Sequence, residues 1–129
     1  MYDVVAIGEL LVDFACRSTD DDGYPVLAAH PGGAPANFLA VLARYGLKTA
    51  LLAKVGNDAF GRLLRRTVER EGIDTAGVVV DDAAFTTLAF VTLDENGERD
   101  FSFARKPGAD MLLRYDELDL SLIDRTRVF

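Results

Sequence analysis

The feature that most constrains the fold is an alternation of short apolar runs with helical segments between Tyr2 and Val80. The clearest helix lies between Asp58, a good N-cap, and Gly72, a good C-terminal stop. Its apolar residues recur with the spacing of one helix face: Phe60, Leu63, Leu64, Thr67 and Val68. Alternating strands and helices are typical of parallel βαβ units, in which helices cover a sheet. The pattern therefore predicts an α/β fold.

The other elements of this alternation are short. The expected elements are strands over Tyr2–Gly8, Pro25–His30, Lys48–Val55 and Val78–Val80 and a helix over Ala36–Tyr45. Glu9–Phe14 is expected to continue the first strand. The helix before Gly46 is apolar nearly all round, so we expect it to be buried.

After Val80 the pattern changes to a hairpin. Thr87–Leu93 and Arg99–Ala104 are strand-like runs, and the loop between them contains Asn96-Gly97, a strong hairpin signal. Because alternate residues of a strand lie on one side, Phe103 and Arg105 share a face. We expect a small extra sheet beside the main one. A helical connection is expected over Tyr115–Leu118, and the end of the chain reads as a truncation.

Composition excludes several functions. The net charge is −7 with scattered Lys and Arg, whereas nucleic-acid binding rests on clustered cations. No apolar run reaches the roughly 18–20 residues of a membrane span. Cys16 and His30 stand alone, so neither a metal site nor thiol chemistry is expected. With one cysteine and an acid near the N-terminus, we expect a cytoplasmic protein.

The segment from Gly32 to Asn37 is the best candidate site. Two glycines let the backbone approach a ligand, and Pro35 suits a first helical turn whose free N–H groups can bind oxygen atoms. Asn37 can both donate to and accept from a sugar hydroxyl. Taken alone, the segment fits a tight turn as well as it fits a ligand site.

Three other positions can each be interpreted as part of a ligand site or as purely structural. Asp13 is a carboxylate in an apolar strand and requires a ligand or a capping role. Gly56-Asn57-Asp58 reads as a strand-to-helix turn with an N-cap. Phe103 and Arg105 can present a ring and a guanidinium to a ligand or simply decorate a hairpin. The chain contains no P-loop, no dinucleotide fingerprint and no convincing Ser-His-Asp set.

Taken together, these motifs resemble the N-terminal signature of the PfkB or ribokinase-like carbohydrate kinases over the whole chain. The motifs are, in chain order, Gly8-Glu9-Leu10-Leu11-Val12-Asp13-Phe14, Gly32-Gly33-x-x-x-Asn37, Gly46 and Gly56-Asn57-Asp58-x-Phe60-Gly61. The sequence from Pro31 to Asn37 and the segment from Phe101 to Asp110 are most similar to the fructokinase branch. The 2-keto-3-deoxygluconate kinases share the aromatic-x-Arg pattern and are the nearest rival. Ala34 and Leu11 argue against ribose.

The resemblance implies a ribokinase-like fold: a parallel sheet flanked by helices, plus a small β-sheet lid with strands around residues 9–30 and 87–105. It implies a sugar site and no catalytic residue in this chain, because the family's Gly-Ala-Gly-Asp base motif and its ATP-binding half are absent. The implied sugar-binding residues are Asp13, Gly32, Gly33, Asn37, Phe103 and Arg105.

For the complete enzyme, the resemblance implies ATP and Mg²⁺, phosphorylation of fructose to fructose 6-phosphate, and a homodimer formed through the lid. The 129 residues alone are expected to bind neither ATP nor Mg²⁺ and to transfer no phosphate. The interpretation of another class is a non-catalytic sugar-binding or dimerisation module built from the same half of the fold.

Overall fold

The computed structural model describes residues 1–93 and 96–129 and confirms the predicted α/β class with a second sheet. The elements within those residues are β1 (Tyr2–Ile7), β2 (Leu11–Thr19), β3 (Pro25–Gly32), α1 (Ala34–Arg44), β4 (Thr49–Gly56), α2 (Ala59–Arg70), β5 (Ile73–Asp74), β6 (Val78–Asp81), β7 (Leu88–Leu93), β8 (Arg99–Ala104), α3 (Leu120–Asp124) and β9 (Thr126–Val128). Two short 3-10 helices lie at Ala109–Leu112 and Tyr115–Glu117.

The central sheet is parallel. Its strand order is β5-β4-β1-β9, and β6 also pairs with β4. Every residue of β4 is buried, as a strand covered on both faces requires. Leu51 and Val55 pack towards the core shared with α1 and α2, whereas Ala50 and Leu52 pack with Leu122 of α3. Helices therefore cover both faces of this sheet.

The second sheet has the order β3-β2-β7-β8 and stands beside the first. Its pairs β2–β3 and β7–β8 are antiparallel, and β2–β7 is parallel. The predicted hairpin is confirmed by the register from Leu88↔Ala104 to Leu93↔Arg99. Gly97 has a positive φ of 79° in its turn, and residues 94 and 95 of the predicted loop lie outside the described residues.

One expectation about the strands is wrong: Glu9–Phe14 does not continue the first strand. β1 ends at Ile7 in the central sheet, and β2 begins at Leu11 in the second sheet. Leu10, Leu11 and Val12 are all buried where the two sheets meet. Because both sides of this junction require apolar residues, hydrophobicity along the chain gives no sign that the strand changes sheets.

The expected burial of the first helix is also wrong. In α1 only Ala36 and Leu39 are buried, while Phe38 and Val41 are each more than half exposed. One face of α1 packs on the central sheet, and Phe38 and Val41 on the other side are largely open to solvent. Apolar composition alone does not reveal how many sides of a helix have neighbours.

The C-terminal part contains more structure than expected. The predicted helical connection is a 3-10 helix over Tyr115–Glu117, followed by α3 and β9. β9 pairs in parallel with β1, with Tyr2 opposite Thr126 and Val4 opposite Val128. Among the described helices, none combines the length and the apolar character needed to cross a membrane.

Candidate functional site

Asp13 and Phe103 lie on the same face of the second sheet. The strand registers place His30, Asp13, Ala89 and Phe103 in one row across the four strands. Residues directly opposite each other in a sheet point to the same side. Two strand spacings of about 4.8 Å separate Asp13 from Phe103, or about 10 Å between their backbones. A molecule of monosaccharide size can therefore touch both.

Gly32 brings the Asp13 carboxylate to the start of α1. Gly32 pairs with Leu11 in β2, and a Cβ at this glycine would collide with the Asp13 carboxylate. Gly33 has a φ of 115°, and a Cβ there would collide with the carbonyl oxygen of Glu9. Gly33 is therefore required by the backbone. At Gly32 a side chain would displace the Asp13 carboxylate, which occupies the space that this glycine leaves open.

The N-terminus of α1 has no side-chain cap of its own. Gly33 occupies the N-cap position, and Pro35 lies in the first turn. The backbone N–H of Ala34 donates a 3.1 Å hydrogen bond to the Glu9 carboxylate, and that of Asn37 donates to the Gly33 carbonyl. The Glu9 carboxylate therefore satisfies one free N–H group at the start of α1. The Asp13 carboxylate lies next to Gly32, at the same end of the helix.

Asn37 lies apart from Asp13. Its exposed side chain lines a cavity of about 150 Å³ between α1 and α2, together with Gly32 and Ala40. Asp13 instead lines a cleft of about 380 Å³ on the second sheet, with Phe101 among its walls. The structure therefore joins Asp13 directly to Gly32 and aligns it with Phe103, but it does not place Asn37 in the same cavity.

The Asp13 carboxylate has free hydrogen-bonding capacity. Among the described residues, none donates a hydrogen bond to it, although the side chain is only partly exposed. Burial raises the pKa of Asp13 above its ordinary value, and nearby His30 partly offsets that shift. A partly buried carboxylate without an internal donor is costly unless a ligand supplies one. This is the strongest sign of a ligand site in the chain.

Arg105 is held by a carboxylate that the sequence did not single out. Its Nη2 lies 2.7 Å from Oδ2 of Asp110, and its Nε lies 3.4 Å from Oδ1. The Arg105 side chain is 36% exposed and that of Asp110 only 1%. By continuation of the β7–β8 register, Arg105 lies opposite Thr87 and shares the face of Phe103. The Phe103 ring and the Arg105 guanidinium therefore belong to the same face of the sheet, as predicted.

The interpretation of Gly56-Asn57-Asp58 as a turn with an N-cap is confirmed. Asp58 Oδ1 accepts from the backbone N–H groups of Phe60 and Gly61 at 2.9 and 2.8 Å. Its Oδ2 accepts from the backbone N–H of Thr86 at 2.8 Å, just before β7. Burial acts to raise the pKa of Asp58, but the hydrogen bonds from Thr86 and Gly61 outweigh it and lower the pKa. This motif joins the second sheet to α2.

Lys54 is a second residue that was not predicted to have a role. A single cation in an otherwise apolar strand sequence is nevertheless a sign of a buried ion pair. Only 5% of its side chain is exposed, and its Nζ lies 3.0 Å from Asp81 and 2.7 Å from Glu117. Nζ also donates to the Leu112 carbonyl. Burial acts to lower the pKa of Lys54, but the hydrogen bonds to Glu117 and Asp81 raise it overall. Lys54 therefore anchors the segment after the hairpin to β4.

Metal ligands are not clustered in the described part of the chain. In residues 1–93 and 96–129, no three His, Cys, Asp or Glu side chains are grouped so that they could hold a metal ion.

Known proteins resemble this chain in sequence and in fold. The model of the pfkB family carbohydrate kinases matches residues 1–128. Fructokinase-1 of Zea mays is 46% identical over 128 residues, which cover 98% of this chain and 40% of that protein. The crystal structure of fructokinase from Xylella fastidiosa superimposes with a TM-score of 0.87 at 37% identity, covering 95% of this chain and 38% of that one.

A third relative adds a bound nucleotide. A similar E. coli structure, 30% identical with a TM-score of 0.86, is a complex with ATP and Mg²⁺; the match covers 98% of this chain and 41% of that one. The chain thus spans about two-fifths of the length of the relatives that it matches. Its two-sheet α/β architecture is the ribokinase-like fold of these neighbours. The chain belongs to the pfkB family of carbohydrate kinases.

Proposed function

We propose that the complete polypeptide containing this chain is a fructokinase, which transfers phosphate from ATP to fructose and forms fructose 6-phosphate. The observation that carries the proposal is the Asp13 carboxylate, which accepts no hydrogen bond from any described residue, lies against Gly32 and shares a face with Phe103. Fructokinases among the similar proteins support fructose as the sugar.

In this proposal the chain supplies the sugar site. Asp13 accepts hydrogen bonds from sugar hydroxyls, and Arg105 donates to them from the same face. The backbone at Gly32 and Gly33 lets the sugar approach α1. Asn37, the other predicted contact on α1, lines a different cavity and would reach the sugar only from the Gly32 side. Phe103 covers an apolar side of the ring. The second sheet acts as a lid that keeps water from the reacting hydroxyl.

ATP and Mg²⁺ belong to the complete enzyme in this proposal. They would be held by residues outside this chain, and so would the catalytic base. The isolated 129 residues are therefore proposed to bind sugar weakly and to transfer no phosphate. The complete enzyme is also proposed to be a homodimer, in which two copies meet through the second sheet.

One observation favours a second candidate, a 2-keto-3-deoxygluconate kinase. Arg105 places a guanidinium on the sugar-facing side of the second sheet. A guanidinium is well suited to bind the carboxylate of a sugar acid. The two candidates differ in whether the substrate is neutral or anionic.

The test is a substrate panel on the purified complete polypeptide with ATP and Mg²⁺. Fructose, ribose, glucose and 2-keto-3-deoxygluconate are compared by the rate of ADP release, and the phosphorylated carbon is located by NMR. We expect fructose to have the highest kcat/KM and the product to carry phosphate on the 6-hydroxyl. A folded protein that phosphorylates none of these sugars would contradict the proposal. The isolated 129 residues serve as the inactive control.

A further inference from the structure

The Arg105–Asp110 pair bears on the charge of the substrate. We propose that Asp110 is a specificity-determining residue, which neutralises Arg105 so that the site accepts a neutral sugar and rejects a sugar acid. The inference rests on the proposed function, because it takes the face with Asp13, Phe103 and Arg105 as the sugar site. Asp110 itself is a positioning residue, since it acts through Arg105.

Asp110 is fixed in place. Its carboxylate is almost fully buried and also accepts a hydrogen bond from the Thr87 hydroxyl at the start of β7. A Cβ at Gly108 would collide with that hydroxyl, so the chain lies tightly against Thr87 here. Next to it, the backbone N–H of Ala109 donates a 2.8 Å hydrogen bond to the Phe85 carbonyl. The carboxylate therefore cannot swing away from Arg105 without disturbing the packing of this segment.

Arg105 keeps donors for a neutral ligand. A guanidinium has five N–H donors, and two of them point at Asp110. The remaining N–H groups can donate to sugar hydroxyl oxygens, for which no net charge is needed. The guanidinium thus keeps its hydrogen-bonding function while its charge is already balanced.

The charges next to Arg105 do not favour an anion. Asp110 balances the positive charge of Arg105, and Asp13 adds a negative charge to the same face. Arg99 is also on this face, but it lies at the other end of β8. A carboxylate that approaches Arg105 would meet a guanidinium whose charge is already balanced, in a partly desolvated place where water screens charges less well. A neutral sugar such as fructose avoids this cost.

The test is Asp110→Asn in the complete polypeptide, since the amide keeps the shape and removes the charge. We expect the ratio of kcat/KM for 2-keto-3-deoxygluconate to that for fructose to rise at least about tenfold, equivalent to about 1.4 kcal/mol. The rise should be larger at about 0.02 M than at about 0.5 M NaCl, because salt screens the unmasked charge. Adding Arg105→Ala to this variant should abolish the gain.

The matched control is Asp116→Asn. Asp116 also forms a two-pronged pair with an arginine, Arg114, at 3.0 and 2.8 Å, but both side chains are exposed. This variant should leave the ratio unchanged. An Asp110→Asn enzyme that still uses fructose but keeps the wild-type ratio would overturn the inference and leave the proposed function standing.

The wild-type enzyme provides a test that does not depend on the folding of a variant. As a competitor of fructose, 2-keto-3-deoxygluconate should have an inhibition constant at least about tenfold above the KM for fructose, and lowering the salt should not strengthen it. A wild type that prefers the sugar acid, or binds it more tightly at low salt, overturns the inference. If the wild type phosphorylates no sugar, the proposed function fails and the inference falls with it.

Discussion

At the scale of single residues, the Asp13 carboxylate lies in an energetically unfavourable position. Burial makes the ionised form of Asp13 costly, and no described residue donates to it. Residues that contribute only to stability are usually satisfied within the protein. Asp13 accepts no hydrogen bond from a described residue, and its carboxylate packs against Gly32. This arrangement is instead typical of a site in which a bound ligand donates the hydrogen bonds.

The first prediction concerns Asp13→Asn in the complete enzyme. Removing a charged hydrogen bond of about 1.5–3 kcal/mol should raise the KM for fructose by about 10- to 150-fold. The free energy of unfolding should not fall, since the substitution removes a costly buried charge. Initial rates over a range of fructose concentrations and urea unfolding measure the two effects. Asp100→Asn, on the opposite face of the same sheet, is the control and should leave the KM unchanged. An unchanged KM in Asp13→Asn would remove Asp13 from the sugar site.

The pH dependence of the same site has a definite sign. Only the ionised Asp13 accepts charge-assisted hydrogen bonds through both of its oxygens, so fructose affinity should be full above the pKa of Asp13 and fall as the pH drops through it. Because burial raises that pKa, the KM should start to increase at a pH above the ordinary aspartate range. The increase should be missing in Asp13→Asn. A KM profile shared by both proteins would mean that another group is titrating.

At the scale of elements, a single side chain connects three of them. Asp58 follows β4 and caps α2, and it accepts a hydrogen bond from the backbone N–H of Thr86 just before β7. Local sequence revealed the cap because a cap is recognised within four residues. It did not reveal the bond to Thr86, whose partner lies 28 residues further along the chain.

The second prediction is that Asp58→Ala lowers the free energy of unfolding by about 2–3 kcal/mol at neutral pH, from the lost cap and the lost bond to Thr86. The folded-state pKa of Asp58 is depressed, so its stabilisation is fully present above the unfolded-state pKa and is lost as the pH falls through the folded-state value. Urea unfolding of both proteins should therefore give a difference that shrinks on acidification. Asp21→Ala, in the exposed turn after β2, should cost little at any pH. A difference independent of pH would assign the loss to packing.

At the scale of the whole molecule, the second sheet carries an apolar row beside the row that contains Asp13 and Phe103. Ala28, Ala15, Val91 and Phe101 lie opposite one another across β3, β2, β7 and β8. Phe101 is 50% exposed, and its ring stacks on that of Phe103. A row of apolar side chains across an open sheet face is well suited to pack against a copy of itself.

The third prediction is that the complete enzyme is a dimer that Val91→Lys converts to a monomer, because the substitution puts a charge into the proposed contact. Size-exclusion chromatography with light scattering gives the mass of each species. Thr92→Lys places the same charge on the opposite face of β7 and should leave the dimer intact. Dissociation by both variants would locate the interface elsewhere, and dissociation by neither would exclude this face.

Much of the fold follows from local patterns. The 3.6-residue periodicity of α2, its cap and stop, and the alternating hairpin strands with Asn96-Gly97 between them were all predictable. Each of these signals is complete within one helix or one hairpin. The Gly32-Gly33 pair likewise marked a place where side chains are excluded, although not what excludes them.

Other features were decided only when the chain folded. The transfer of the chain from β1 to the second sheet, the exposed face of α1 and the parallel pairing of β9 with β1 depend on neighbours distant in sequence. So do the contact of Asp13 with Gly32 and the burial of Lys54 between two carboxylates.

By itself, then, the sequence determined the α/β class, most of the elements before the C-terminal part and a set of residues proposed to touch a sugar. The tertiary structure decided which of those residues share a surface and which charges are already balanced. The physical reason is that periodicity and capping act over a few residues, whereas burial and charge pairing are set by whichever segments the fold brings together.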